Sequence, residues 1–459
     1  MKKFLLSLFL LPLTVDVAAQ EGDVQLTKAY QQSAFSLFNA VAQKEADNVC
    51  FSPLSLQMAL SMVQHGAAGN TLQQMQQVLG TVGFSNEQIG EFNRQLSKQL
   101  TERPPYDADF CRRFDPENPK EVYDGMYPIC ELANALWRRP DVELYEEFLQ
   151  ALRTYYESPA EAVEFSTWEG VGRINDWASD HTHGLIPKIY HEPQSDDLAV
   201  VLTNALYFKG NWTFPFDEEA TKEQPFWLDA ESFVRTDMMF LQEELRCSAT
   251  PSFQTVTLPY GDEGAFSMTL FVPKEGTQLP PLTYEDWSAA AQSRQYQPLH
   301  LWMPRFEVEG DYDLTGVLAD LGMKDAFSRS ADFTKMCERN RKIDKVSQLS
   351  KIIVNEKGTE ASAITVIAMC DGMGPDPASF QDFTVDRPFY FTIQNNKQGA
   401  VLFVGRVTQF PGTVEHLAGV SAVGRQQKAC RCYDLQGRSL QRAPQKGIFI
   451  QDGQKRVTF

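Results

Sequence analysis

Apolar side chains recur every three or four residues in the early part of the chain, a spacing that places them on one face of a helix. Ala29–Ala42 follows this spacing and is predicted to be a helix. Ser52 and Pro53 stand before Leu54–Gln64, which is apolar nearly all round. Because serine caps helices and proline suits the first turn, we expect a buried helix to begin here.

Later parts of the chain contain short apolar runs that are typical of β-strands. Ala199–Phe208 is almost continuously apolar, which predicts a central strand covered on both faces. Asn204 interrupts this run, and since a buried amide needs partners we expect it to anchor a polar cluster. Five further runs are predicted strands: Thr255–Tyr260, Phe266–Val272, Leu299–Phe306, Phe389–Ile393 and Ala400–Val407. Early helices and later strands favour a mixed α+β fold with antiparallel sheets.

The segment Asn355–Pro388 combines two patterns. Its first half alternates, so that Thr359, Ala361 and Ala363 could share one face of a half-buried strand. Its second half, rich in glycine and proline, has the composition of an exposed loop. A segment that can pair in a sheet but continues into a loop predicts two alternative states.

Composition and charge limit the class of protein. The chain has 459 residues, 43% of them hydrophobic, which is enough for a large folded unit. Its 42 basic and 60 acidic residues give a net charge of −18, which argues against nucleic acid or an anionic membrane as the main partner. Residues 411–459 nevertheless contain eight basic and three acidic side chains. We therefore expect an acidic domain over residues 20–410 and a basic C-terminal extension.

The start of the chain has the pattern of a secretory signal peptide. Lys2 and Lys3 precede the apolar run Phe4–Leu13, and small residues follow at Val17–Ala19, where cleavage is expected. The run is shorter than the roughly 20 residues that cross a bilayer, and no other segment is long and apolar enough. The sequence thus predicts a signal peptide over residues 1–19, a secreted protein and no transmembrane segment.

Enzyme and metal signatures are missing from the sequence. We found no glycine-rich phosphate loop, two-histidine zinc helix or nucleophile elbow, so we expect no enzyme, no cofactor and no metal. The eight cysteines are too few for a disulfide scaffold. Cys111 and Cys130 bracket a proline- and aspartate-rich segment, and we predict an inserted loop over residues 102–130. A disulfide between these cysteines is also predicted, and closing the loop would stabilise the fold by about 3 kcal/mol.

Several motifs, in unbroken order from about residue 25 to residue 410, resemble those of the serpin family. Each motif alone would be weak evidence, but together they are highly specific. The matching segments are NVCFSPLSLQMALSMVQHGAAGNT (48–71), LTNALYFKGNW (202–212), LPY (258–260), LWMPRFEVEGDYDLTGVLADLGMKDAF (301–327), VNEKGTEASA (354–363), RPF (387–389) and FVGR (403–406).

The resemblance implies a serpin fold of three β-sheets and about nine helices, with a reactive-centre loop over residues 356–386. It also implies a monomeric suicide substrate. A serine protease, or alternatively a cysteine protease, attacks the loop, and the cleaved strand then inserts into the main sheet and traps the acyl-enzyme. The residues that match the family's hinge are Glu356, Gly358, Thr359, Glu360, Ala361, Ser362 and Ala363.

The family position of the hinge glycine places the bond attacked by the protease near Gly372, Met373 and Gly374. A glycine gives a protease pocket little to hold, so the Gly372–Met373 and Met373–Gly374 bonds are both candidates, and Met369–Cys370 is a third. A methionine suits elastase-like or chymotrypsin-like proteases. Residues 358–386 contain no basic side chain that would suit a trypsin-like one.

Four residues match positions of the family that lie beneath the opening sheet or near the start of insertion. Ser52, Ser55 and Asn204 match the polar cluster under the sheet, and Trp212 matches the tryptophan near the start of insertion. Gln348 stands roughly where many members have histidine, so we expect this cluster to be connected differently here. Alternatively, these side chains only supply hydrogen-bond partners to polar groups in the core.

Residues 411–459 contain two segments, Tyr433–Arg438 and Gln445–Gly453, that are predicted to form short strands joined by glycine turns. This extension resembles the C-terminal sorting segments of exported Bacteroidetes proteins, which implies a bacterial protein that is released or displayed on the cell surface. A passive extra hairpin is the alternative. The alternative function is a serpin fold without inhibition, acting as a carrier or chaperone, against which the alanine-rich hinge argues.

Overall fold

The computed structural model describes residues 13–195, 198–338, 341–359 and 380–416, together with four short strands beyond them. In these residues the α-helices are α1 Leu13–Ala42, α2 Pro53–Gln64, α3 Gly69–Leu79, α4 Asn86–Thr101, α5 Ala108–Cys111, α6 Pro119–Met126, α7 Glu146–Tyr156, α8 Trp168–His181, α9 Tyr284–Gln292 and α10 Thr315–Asp320. Among the described helices, none is both long enough and apolar enough to cross a membrane.

The strands of the described residues alternate with these helices early in the chain and dominate later. They are β1 Val49–Phe51, β2 Ile129–Arg138, β3 Ala160–Ala162, β4 Val200–Asn211, β5 Asp217–Trp227, β6 Ser232–Ala249, β7 Phe253–Tyr260, β8 Phe266–Pro273, β9 Gln295–Pro304, β10 Phe306–Asp313, β11 Ser347–Asn355, β12 Gly358–Thr359, β13 Gln381–Thr384, β14 Phe389–Asn395, β15 Val401–Val407, β16 Glu415–His416, β17 Cys432–Tyr433, β18 Ser439–Leu440, β19 Gly447–Gln451 and β20 Gln454–Thr458.

These strands form three sheets. The main sheet has six strands in the order β10-β11-β12-β4-β2-β3. The second sheet has ten strands in the order β1-β15-β14-β8-β7-β6-β9-β13, with β5 and β16 also paired to β6. The third sheet lies in the C-terminal extension, in the order β18-β17-β19-β20. Strand β19 lies within the predicted segment Gln445–Gly453, whereas Tyr433 is the only residue of Tyr433–Arg438 in a described strand.

The predicted α+β class is confirmed, but the sheets are divided differently from the expectation. Strand β6 pairs with β9 from Met238 to Cys247 and with β7 from Arg246 to Ala249. This long strand therefore joins the two halves of the second sheet into one hydrogen-bonded unit. The described helices number ten, against the nine or so that were expected.

The helix predicted at Leu54–Gln64 forms for the predicted reasons. Pro53 is the first residue of α2, and the Ser52 hydroxyl accepts a hydrogen bond from the backbone N–H of Ser55. Nearly every side chain of α2 is buried, as its apolar composition requires. The helix predicted at Ala29–Ala42 is the second half of α1, whose described part begins at Leu13.

The strand predicted at Ala199–Phe208 is β4, in the middle of the main sheet. The prediction that both faces are covered is only partly correct. Residues 206–208 are buried in succession, whereas residues 200–204 alternate between half-buried and buried positions. The first half of β4, residues 200–204, is therefore less covered than its apolar sequence suggested.

The insertion between α4 and β2 differs from the predicted loop, because it contains the two short helices α5 and α6. The predicted disulfide is also wrong in this structure, since Cys111 and Cys130 are both buried free thiols. Cys111 packs in a small apolar cluster of the insertion, whereas Cys130 packs in the main core opposite Phe208. The two thiols thus belong to separate packing units.

Candidate functional site

The two-residue strand β12 lies between β11 and β4 in the main sheet, and we call this position the hinge seat. Thr359 is opposite Val354 on one side and Gly210 on the other, and Gly358 is opposite Asn211. Among the described residues β11 and β4 are joined only through β12. The first residues of the segment that was predicted to have two states are therefore paired as a strand.

Close packing at the hinge seat requires glycine at position 358. A Cβ atom placed on Gly358 would lie 2.1 Å from the carbonyl oxygen of Gly210 and 2.8 Å from the Cα of Asn211. Both of these atoms belong to the backbone of β4, which cannot move aside as a flexible side chain could. A close approach between the two strands therefore requires glycine here.

Two stacked rings form the wall of the hinge seat. The rings of Trp212 and Tyr260 lie 4.4 Å apart at an interplanar angle of 14°. The Trp212 indole N–H donates to the carbonyl of Asn355 at 2.9 Å, and the Tyr260 hydroxyl is 2.5 Å from Thr359 Oγ1. Because burial raises the pKa of Tyr260, its hydroxyl stays protonated. These contacts hold Thr359, only 1% exposed, in an inward position.

An ion pair between a buried carboxylate and a half-exposed arginine fixes the chain just before β12. Glu356, which is 5% exposed, accepts hydrogen bonds from Arg305 at 2.6 Å and from the Thr221 hydroxyl at 2.8 Å. Burial would raise the pKa of the Glu356 carboxyl, but the hydrogen bonds from Arg305 and Thr221 outweigh it and lower that pKa. The backbone carbonyl of Glu356 also accepts from the N–H of Phe216 at 2.9 Å.

The predicted polar cluster forms where α2 begins beneath the main sheet. The Ser55 hydroxyl donates to the side-chain oxygen of Asn204, and the Asn204 amide donates to the side chain of Asn134 on the neighbouring strand β2. Asn134 and Asn204 are directly opposite each other in the sheet. The Ser52 hydroxyl donates to the carbonyl of Leu402 at 2.8 Å, which ties the cluster to the second sheet.

Gln348 completes this cluster from β11, the strand that flanks β12 on the side away from β4. Its side-chain oxygen accepts from the backbone N–H of Ser52 at 2.9 Å, and its side-chain N–H donates to the carbonyl of Ser52 at 2.8 Å. One amide therefore satisfies both backbone groups at the start of α2. A neutral histidine also has one donor and one acceptor, but its two ring nitrogens point away from each other and could not pair with both backbone groups of one residue.

A narrow cleft of about 30 Å³ separates the lower parts of β4 and β11, with α2 as its floor. Asn204 lines one wall, Gln348 lines the other, and Ser55 lines the floor. Because both walls are hydrogen-bonded to the start of α2, this helix fixes the positions of the two strands below the hinge seat.

Several predicted site residues lie outside the described residues. They are Glu360, Ala361, Ser362, Ala363, Gly372, Met373 and Gly374. The structure adds four side chains that the sequence did not single out: Asn134, Thr221, Tyr260 and Arg305. Tyr260 is the last residue of the LPY motif (258–260), but the motif alone gave it no role. In the part of the chain that is described, no cluster of histidine, cysteine and acidic side chains could hold a metal ion.

The family profile described as "Serpin (serine protease inhibitor)" matches residues 28–410. The chain belongs to the serpin family. Serpin B6 of Macaca fascicularis is 32% identical to this serpin over 398 residues, which cover 83% of this chain and 98% of that protein.

Solved structures share the fold of this serpin. Mouse protein-Z dependent protease inhibitor has a TM-score of 0.71 and 21% identity, covering 86% of this chain and 99% of that chain. Human thyroxine-binding globulin, solved with thyroxine, has a TM-score of 0.70 and 21% identity, covering 84% and 99%.

Substitution of Gly358 by alanine tests the close approach at the hinge seat. Since the new Cβ would overlap the Gly210 carbonyl, we expect β12 to leave its position and the backbone amides of residues 354–359 to exchange with solvent faster. Hydrogen exchange measured by mass spectrometry checks this. Gly172→Ala in α8 is the control, because nothing lies within 4 Å of a Cβ there. Unchanged exchange in Gly358→Ala would contradict the assignment.

Substitution of Asn204 by alanine tests the polar cluster. The Ser55 hydroxyl and the Asn134 amide oxygen would lose a partner, so we expect the free energy of unfolding to fall by about 1–3 kcal/mol and polymers to form more readily. Denaturation curves and native gels measure both effects. The exposed residue Asn118, whose side-chain amide donates to nearby Asp115 and makes no cap bond to α6, provides the control variant Asn118→Ala. Equal behaviour of the two variants would argue against the cluster.

The Glu356 ion pair predicts a pH dependence. Because its folded pKa lies below the ordinary value of 4.5, ionised Glu356 stabilises the fold above that value, and this stabilisation is lost as pH falls through the folded pKa. We expect Glu356→Gln to lower the thermal midpoint at pH 7, and this difference to shrink as the pH falls below 4.5. The control is Glu309→Gln, at an exposed carboxylate. A pH-independent difference for Glu356→Gln would disprove the effect.

Proposed function

We propose that this serpin inhibits a serine protease as a suicide substrate. The protease attacks the segment after Thr359, and the cleaved strand then inserts between β11 and β4 before the acyl-enzyme is hydrolysed. The observation that carries the proposal is the hinge seat, where β12 already occupies the first position of such a strand.

Strand pairing provides the driving force for this mechanism. An inserted strand satisfies backbone N–H and C=O groups along both neighbouring strands and buries alternate side chains. Thr359 is buried at the first inward position. Ala361 and Ala363 would take the next inward positions, where small side chains slow insertion least. About fifteen residues at roughly 3.3 Å each would carry the bound protease about 50 Å.

The proposed reactive bond is Gly372–Met373 or Met373–Gly374, with Met369–Cys370 as the third candidate. A methionine before the attacked bond suits an elastase-like or chymotrypsin-like protease. We propose that the inhibitor acts as a monomer and that a cysteine protease is the alternative target. No cofactor or metal enters this mechanism.

We propose that the protein is secreted, with residues 1–19 as signal peptide, and acts in the extracellular space or at a bacterial cell surface. The basic extension after residue 410 would serve as the sorting segment. Serpin B6 of Macaca fascicularis and Serpin-Z2A of Triticum aestivum come from an animal and a plant, so they lend no support to a bacterial source. The extension lies beyond the matched residues 28–410.

A panel of elastase-, chymotrypsin-, trypsin- and subtilisin-like proteases tests the function. We expect a covalent complex that survives denaturing gel electrophoresis with an elastase-like or chymotrypsin-like enzyme, because trapping stops at the acyl-enzyme. Mass spectrometry of the released peptide should place the cut within residues 368–375. The matched control is Gly358→Ala, which should be cleaved at the same bond but trap less protease.

Cleavage by every protease without any covalent complex would contradict inhibition. It would instead favour the carrier function, for which thyroxine-binding globulin shows that this fold can hold a small ligand. A cut outside residues 368–375 would contradict the assignment of the reactive bond alone.

A further inference from the structure

The insertion between α4 and β2 is a small packing unit of its own. Its helices α5 and α6 enclose an apolar cluster formed by Cys111, Val122, Tyr123 and Met126, which is separate from the main core. Its contacts with the rest of the molecule show which parts of the fold it can hold in place.

The end of the insertion packs against the turn between β7 and β8. The carbonyl of Met126 accepts a hydrogen bond from the N–H of Asp262 at 2.9 Å. A Cβ atom placed on Gly261, whose φ is +64°, would lie 2.3 Å from that carbonyl oxygen and 2.7 Å from Pro128. The backbone of the turn thus packs directly against the insertion, and only glycine at position 261 permits this contact.

The same turn holds the hinge seat. Gly261 donates its N–H to the carbonyl of Asn211 at 2.9 Å, and Asn211 is the residue opposite Gly358. Tyr260, which precedes this glycine, contacts Thr359 through its hydroxyl. The insertion therefore contacts the β7–β8 turn, and this turn contacts Thr359 of β12 through Tyr260.

Helix α6 also reaches the hinge seat directly. A Cβ atom placed on Gly125 would lie 3.0 Å from the side-chain nitrogen of Asn211. The last turn of α6 thus packs against the end of β4, at the point where this strand meets β12.

We infer that the insertion is a positioning element for strand insertion, and that Gly125 and Met126 act through Asn211 and Tyr260 to hold the hinge seat in the geometry that receives the strand. This inference rests on the proposed function. The insertion sets how fast the cleaved segment enters the sheet, because it fixes the wall against which Thr359 is placed. It does not set how fast a protease cleaves the loop, since the protease acts on the segment beyond the hinge.

Two variants of the full chain test the inference. Gly125→Leu places a branched side chain against Asn211 and pushes α6 away from β4, whereas Gly125→Ala needs only a small movement of the Asn211 amide. In the second variant, residues 104–125 are replaced by a Gly-Ser linker of the same length. Phe114→Ser, at a side chain that is 52% exposed on the insertion, is the control for changes elsewhere on this unit.

Each protein is cleaved in the loop with a protease, and two rates are measured. One is the rate of loop cleavage, and the other is the rate at which the cleaved protein becomes resistant to urea, which reports strand insertion. We expect Gly125→Leu and the linker variant to gain resistance at least about fivefold more slowly than the wild type, the effect of losing about one hydrogen bond. Cleavage rates should not change, and Gly125→Ala and Phe114→Ser should match the wild type.

Insertion at the wild-type rate in both test variants would overturn the positioning role and leave the proposed function intact. Equal slowing by Gly125→Ala and Phe114→Ser would also overturn it, since the effect would then be general destabilisation. If both test variants fail to fold, the insertion is a structural part of the domain and the inference is wrong. If the cleaved wild type gains no resistance to urea, the proposed function itself fails.

Discussion

The closeness of Gly358 to the backbone of β4 is the constraint on which the rest of the structure depends. The strands β11 and β4 meet through a two-residue strand, and that strand fits only because position 358 carries no side chain. The stacked pair Trp212 and Tyr260 then fixes the next residue, Thr359. Strand β12 pairs with residues 354–355 of β11 and residues 210–211 of β4. Among the described residues no strand lies between the remaining parts of β11 and β4, and the proposed inserted strand would pair with both of them there.

The start of α2 supports the same sheet from below. Asn204 on β4 and Gln348 on β11 both bond to it, so these two strands are fixed to one helix. These bonds satisfy buried polar groups that would otherwise destabilise the fold by about 1–3 kcal/mol each. In the proposed mechanism, the same few side chains would therefore affect both the stability of the folded state and the opening of the sheet.

Local sequence rules predicted those parts of the site that depend on local chemistry. Ser52 and Pro53 identified the start of α2, whereas the close approach at Gly358 was found only in the structure. The contacts with Tyr260 and Asn134 were missed because they depend on register between strands distant in sequence. The predicted disulfide failed for a related reason: nearness in sequence suggested a pair, but Cys111 and Cys130 pack in different clusters.

The central claim is that the intact protein lies uphill in free energy of a form that has taken the cleaved segment into the main sheet. The most direct measurement compares the thermal midpoint of intact protein with that of protein cleaved at Met373. The account predicts a large increase after cleavage, because a strand paired on both sides is gained. A cleaved protein that unfolds at the same temperature as the intact one, or below it, would contradict the account.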